Sequence, residues 1–240
     1  MDSPATSTSA AQRAQGPPRI LLTDFEPFGG SAHNSSGDVV SEVARRAAAR
    51  QLLTQQEHDD VVISTLTLPV EFGAAGHLLT TAAQQHRPDV VISVGLAAGA
   101  ATLRLERVGL NLRDARIPDN AGAQPLAQPI IAGAENAHFS TLRLKAAQQR
   151  IAAAGIPVSM SLSAGTFVCN EVLFTILDHI SAAGLPTSAG FVHVPDLRAP
   201  DRHSSDSPLS LPQVADAVDL VISESLKPID DVAGRTGTLH

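Results

Sequence analysis

The sequence predicts an α/β fold, a three-layer α/β/α sandwich around a mostly parallel twisted sheet. Short β-branched runs alternate with longer amphipathic ones along most of the chain, the order that places helices between strands. One of the short runs, Val90 to Val94 (VVISV), is almost wholly apolar, as a strand buried on both faces should be. At 240 residues, with 43% apolar and 17% charged, the chain can bury roughly 70–75% of its unfolded surface, so its core needs neither disulfides nor a structural metal.

The elements follow in order. Arg19 to Thr23 (RILLT) reads as a first strand. A helix follows in Gly37 to Gln51, where Val39, Val40, Val43 and Ala47 recur at helical spacing. Val61 to Leu68 is a second strand and Phe72 to His86 a helix, after which Pro88 marks the turn into the Val90 strand. Leu103 to Leu112 is extended, with an alternation that slips phase at Glu106–Arg107, and a loop rich in Pro, Gly and Asn runs from Asp114 to about Glu135. The remaining elements are a helix over Leu142 to Ala154, a strand over Val158 to Ser163 and a helix over Cys169 to Ala182. A strand over Gly190 to Val194 and a helix over Leu211 to Leu226 complete the set. Helical crossovers make such strands parallel. With no internal repeat and no shift in composition, residues 19–226 form one domain. Residues 1–18 read as a disordered leader and 227–240 as a weakly patterned tail.

Charge and composition exclude several classes of function. The formal charge is −7, and only Lys145 and Lys227 are lysines, a poor match to nucleic-acid phosphates. No run approaches the roughly 18 apolar residues of a membrane span. The single cysteine, Cys169, cannot form an internal disulfide, and a lone thiol suits a reducing cytoplasm. No HExxH, cysteine cluster, EF-hand loop, GxGxxG, P-loop or GxSxG occurs, so neither a metal nor a cofactor is expected.

Cys169 lies between a strand and a helix, after the break Ala164-Gly165-Thr166. That position gives a thiolate the first-turn N–H groups and the helix dipole. By residue type alone a buried structural cysteine is the commoner role; the strand-to-helix break is what favours a nucleophile. A nucleophile needs a base, and the base needs an orienting group. Of nine histidines, His193 stands near the end of the apolar strand GFVHV, where it must be paired and where the strand end delivers it to the rim carrying Cys169. His33 is the rival. Glu106, at the phase slip, is the candidate carboxylate, because such slips accompany bulges or strand ends that re-aim side chains. The alternative for Glu106 is an exposed strand charge paired with Arg104 or Arg107.

Four segments, ILLTDFEPFGG with Asn34 after it, ERVGLNLRDARIPDNAGAQP, SLSAGTFVCN and GFVHVPDLRAP, resemble the pyroglutamyl peptidase I (pyrrolidone-carboxylate peptidase) family of cysteine peptidases. The likeness runs from about Arg19 to Leu226, and the four motifs in this order are highly specific. It implies a phosphorylase/hydrolase-like α/β fold, and removal of amino-terminal pyroglutamyl residues from peptides through a thioester acyl-enzyme. It implies Cys169 as nucleophile, His193 as general base and acid, Glu106 as the orienting residue, and Arg116 near the developing oxyanion. Phe28 and Phe167 would clamp the lactam ring, with Asn34, Val168 and Ile117 completing the pocket; without the likeness, Phe28 reads equally well as loop packing. A homo-oligomer, dimer or tetramer, is also implied. Asp24, Ala100, Ala101 and Asp196 depart from the family pattern, and Leu96 occupies a position where some members have Gln. A catalytically silent pyroglutamyl-binding homologue is the second reading, disfavoured by the intact Cys169, His193 and Glu106. A nucleoside-phosphorylase-like enzyme is the third; it would want a phosphate-binding cluster of Arg and Ser with Gly-rich turns, and Ala100 and Ala101 offer it no help.

Overall fold

The computed structural model describes residues 16–58, 60–197, 209–228 and 230–232. Most of the leader, the last eight residues of the tail, and the end of the GFVHVPDLRAP segment lie outside the described residues. A six-stranded sheet forms the centre, in the order β2-β1-β3-β8-β4-β7. Its strands are β1 (Arg19–Phe25), β2 (Val62–Leu68), β3 (Val90–Leu96), β4 (Leu103–Glu106), β7 (Val158–Ser161) and β8 (Ser188–Val194). Neighbours are parallel except β4 with β8. The sheet is therefore mostly parallel, with β4 and β7 running against the other four.

Helices cover both faces. On one side α1 (Ser35–Ala48), α4 (Leu144–Ala153) and α6 (Leu211–Ser225) bury Val39, Val43, Ile151, Val218 and Val221 against Ile20, Ile92, Leu103 and Leu105. On the other, α3 (Ala74–His86) and α5 (Val168–Ala183) bury Leu79, Val172 and Ile176 against Leu21, Val91 and Phe191. β3, apolar but for Ser93, lies in the middle of this sandwich, buried from Val90 to Gly95.

Three departures from the sequence reading have local causes. The first helix starts at Ser35 because Asn34 caps it, Oδ1 accepting from Ser36 N–H at 3.1 Å. A five-residue helix, α2 (Leu53–Glu57), follows it. The extended stretch after Leu103 divides. β4 ends at Glu106, and Val108–Leu110 (β5) leaves to form a two-stranded antiparallel ribbon with β6 (Ala137–Phe139), a strand the sequence reading leaves unassigned between the polar loop and the helix that follows it. The phase slip is thus a change of sheet and not a bulge.

Candidate active site

The sheet's register builds the site from the inside outward. In the antiparallel β4–β8 pair, Arg104 faces His193 and Glu106 faces Phe191. Glu106 and His193 are consequently diagonal neighbours on one face, within reach for long side chains. Leu103 and Leu105 alternate to the opposite face and its core, so the regular pleat of β4 sends Glu106 toward α5. Glu106 lies deeper than the histidine, at 1% exposure against 7%. Glu106 Oε1 lies 2.8 Å from His193 Nδ1. A carboxylate only accepts, so Nδ1 carries the proton and Nε2 is left for the thiol.

Cys169 is the second residue of α5 and is part-buried. Its sulfur packs beside the end of β3, where a methyl group added at Gly95 would stand 3.1 Å from Sγ and 2.6 Å from the Phe191 ring. Gly95 pairs with His193 in the sheet, so the absent side chain is what lets thiol and imidazole share one rim. Burial is the largest influence on His193 and pulls its pKa down. Hydrogen bonds to Cys169 and Glu106, with their charges, outweigh it and push the imidazole up to about 9. Thiol, imidazole and carboxylate are thus brought together, with both flanking groups favouring the charged form of the histidine.

Aromatic rings flank these three groups. Phe28 and Phe167 stand 6.3 Å apart, tilted by 35°. Phe167 is the residue before α5 and offers no side-chain cap, so the helix start keeps N–H groups for an anion. Phe25 and Phe191 are core residues beneath, their rings 6.1 Å apart.

The other anticipated residues divide. Arg116 is exposed, and among the described residues its guanidinium makes no ion pair. Its loop is tied to the segment before Cys169, Asp114 N–H donating to the Thr166 carbonyl at 3.0 Å and Thr166 Oγ1 donating to the Asp114 carbonyl at 2.7 Å. Ile117 is 40% exposed on the same loop. Val168 is buried in the core under α5, which leaves only its backbone to face a ligand. Asn34 is engaged internally, capping α1 and donating Nδ2–H to the Glu26 carbonyl at 3.0 Å. His33, the rival histidine, pairs with Asp38 at 3.0 Å.

Several supporting residues lie in the family-like segments but are given no role by the sequence reading. Buried Asn170 imitates a strand edge: Oδ1 accepts from Leu110 N–H at 2.9 Å, and Nδ2 donates to the Leu110 and Leu112 carbonyls at 2.8 and 3.0 Å. Asp119 accepts from the amides of Phe72, Ala121 and Ala123. Asn120 donates to the Pro27 carbonyl at 3.0 Å, next to Phe28. The Pro-Asp-Asn stretch therefore ties together the loops that carry the aromatic rings.

A family model described as pyroglutamyl peptidase matches residues 18–226. The chain belongs to the pyroglutamyl peptidase family. It is 40% identical over 223 residues, 92% of this chain and 99% of the relative, to a pyrrolidone-carboxylate peptidase of Clavibacter michiganensis subsp. michiganensis. It is 36% identical over 209 residues, 87% of this chain and 99% of the relative, to one from Thermococcus onnurineus. The crystal structure of Bacillus amyloliquefaciens pyroglutamyl peptidase I superposes with a TM-score of 0.79 at 33% identity, covering 90% of this chain and all of that one. Pyrrolidone carboxyl peptidase from Thermococcus litoralis gives 0.79 at 31% identity, covering 91% and 99%. The pyroglutamyl peptidase fold is thus the fold of this chain, including the mostly parallel sheet.

The departures from the family pattern occupy definite places. Asp24 is buried at the end of β1, and that burial, the largest influence, raises its carboxyl despite a hydrogen bond from Thr67. Asp196 accepts from Ser35 Oγ at 3.4 Å, and Ala100 closes a turn through its N–H to the Ala97 carbonyl at 2.8 Å.

Proposed function

We propose that this chain removes amino-terminal pyroglutamyl residues from peptides, with Cys169 as nucleophile, His193 as general acid and base, and Glu106 as the group that orients His193. The observation that carries the assignment is His193 held between the Cys169 thiol and Glu106, 2.8 Å from the carboxylate. Family membership supports the substrate class.

The Cys169 thiolate adds to the carbonyl that follows the lactam ring. Oxygen becomes an anion, and the amides at the start of α5 stand ready to receive it. His193 Nε2 passes its proton to the departing amine as the C–N bond breaks, leaving a thioester on Cys169. The neutral imidazole then takes a proton from water, the resulting hydroxide displaces sulfur, and pyroglutamate leaves with the thiolate restored. Glu106 keeps Nδ1–H in place throughout and balances the imidazolium. The lactam carries no charge, and Phe28 and Phe167 offer faces that suit such a ring. Arg116, on the loop tied to Thr166, is positioned to add positive charge at the rim.

The test compares pyroglutamyl-aminocoumarin with the prolyl and alanyl amides, using the parent and Cys169→Ala. Cleavage confined to the pyroglutamyl amide and lost in Cys169→Ala is expected. An inert parent, or a Cys169→Ala variant as active as the parent, would falsify the assignment.

A further inference from the structure

A third ring, Phe72, meets Phe167 edge-on, with centroids 5.1 Å apart and planes at 84°. Residues that touch neither thiol nor imidazole hold it there. Phe72 N–H donates to Asp119 Oδ2 at 2.8 Å, and the next amide, Gly73 N–H, donates to Glu171 Oε1. Gly73 has φ +78°, a conformation that L side chains rarely adopt, so two successive amides of a tight turn are each fixed by a buried carboxylate. The other oxygen of Glu171 accepts from Arg113 Nε, and the Arg113 guanidinium carbon lies 6.0 Å from the centre of the Phe72 ring. Arg113 is itself anchored, its N–H and carbonyl bonded to Gln128 at 2.7 and 2.9 Å. Glu171 is 1% exposed, and its two oxygens bind segments that approach α5 from the β2 and β5 sides.

Phe28 is held differently. Its loop is tied through Ser31 N–H on the Phe28 carbonyl at 3.1 Å and through Asn120 on Pro27, but the aromatic neighbour of its ring is Phe167. Gly29 and Gly30, at φ +62° and +79°, follow it directly. A flat ring between two aromatic faces needs about 3.5 Å on each side. A 6.3 Å centroid spacing therefore has to open by somewhat under an ångström. Phe167 has Phe72 against it, so the yielding partner is Phe28.

We propose that Glu171 and Arg113 are positioning residues for lactam recognition, holding Phe72 as a buttress against Phe167 while Phe28 moves to admit the ring. The proposal rests on the pyroglutamyl peptidase reading.

The experiment measures kcat and KM for pyroglutamyl-aminocoumarin in the parent, Glu171→Gln, Phe72→Leu and the double variant. It also measures protection of Cys169 from iodoacetamide by the bare lactam 2-pyrrolidone. An edge-to-face contact carries about 2- to 10-fold in an equilibrium constant. Each single variant is therefore expected to raise KM and the protecting 2-pyrrolidone concentration about 3- to 10-fold, with kcat within about twofold of the parent. The double variant should be no worse than the worse single one, because both changes act through one ring. Unprotected alkylation should keep the parent's rate. Unchanged KM with kcat and alkylation falling together would place Glu171's effect on the thiol and overturn the proposal, as would additive losses in the double variant. Should Glu171→Gln fail to fold, Phe72→Leu and Arg113→Gln, both at part-exposed positions, give the same readouts. A parent that cleaves no pyroglutamyl amide sinks the functional assignment, while protection by 2-pyrrolidone still tests the buttress.

Discussion

At the scale of single residues the site turns on one proton. His193 is pushed up to about 9 from an ordinary 6.5 because the opposing pull of burial is outweighed by the thiol and the carboxylate. The folded value lies above the unfolded one, so the protonated imidazole contributes stability that is fully present below about 6.5 and is lost as pH rises through about 9. The same proton is the one delivered to the leaving amine. We predict that kcat/KM for a pyroglutamyl amide holds through neutral pH and falls along a limb near 9. In Glu106→Gln the negative partner of the imidazolium is gone. That limb should move to lower pH, and kcat/KM should drop by about 10²-fold or more. A pH–rate series on the two proteins checks it, and a limb that stays in place in Glu106→Gln would show that the carboxylate does not set the histidine's charge.

At the scale of elements, legibility depended on whether a residue's role is local. Cys169 and His193 were readable because a strand end and a helix start place them, and those boundaries follow from apolar runs and a Gly-containing break. The sequence singles out Glu106 at a phase slip whose physical cause is not a bulge. The slip after it marks a passage between two sheets, and the unbroken pleat of β4 is what aims it toward α5. β6, at three residues with both outer positions exposed, carries too little alternation to be seen. Glu171 and Arg113, separated by 58 positions in the chain, make sense only once two loops converge. Gly95 belongs with these: its need to be glycine arises from Phe191 on β8 and from Cys169 on α5. We predict that Gly95→Ala lowers stability by about 1–3 kcal/mol, because a methyl group 2.6 Å from a wholly buried ring forces a shift. It should also slow Cys169 alkylation by iodoacetamide through displacement of the sulfur. Thermal unfolding and alkylation kinetics measure the two effects, and parental values for both would remove Gly95 from the site's architecture.

Across the whole molecule, the two faces of the sheet divide the work. The α3–α5 face carries the thiol and the rings, while the α4–α6 face is closed by charge. Arg143 and Glu224, both buried, pair at 2.8 Å between α4 and α6, and Arg150 joins Glu224 at 3.0 Å. Part of what reads in the sequence as a weakly patterned tail completes this closure. Asp231 accepts from the amides of Lys145 and Ala146, each at 2.9 Å, and the Asp230 carbonyl accepts from Arg143 Nε at 3.2 Å. Asp231 thus satisfies first-turn donors of α4 as a capping carboxylate does, from 85 residues away in sequence. Removing a cap costs about 0.5–2 kcal/mol, which for a domain of this size lowers the melting temperature by roughly 1–8 °C. We therefore predict that Asp231→Ala melts earlier by that amount while its kcat and KM for a pyroglutamyl amide at 25 °C stay within about twofold of the parent. An unshifted melting curve would mean that the tail contact adds no stability. A changed KM would mean that the two faces of the sheet are coupled, so that the packing of α4 and α6 reaches through β4 and β8 to Glu106 and His193.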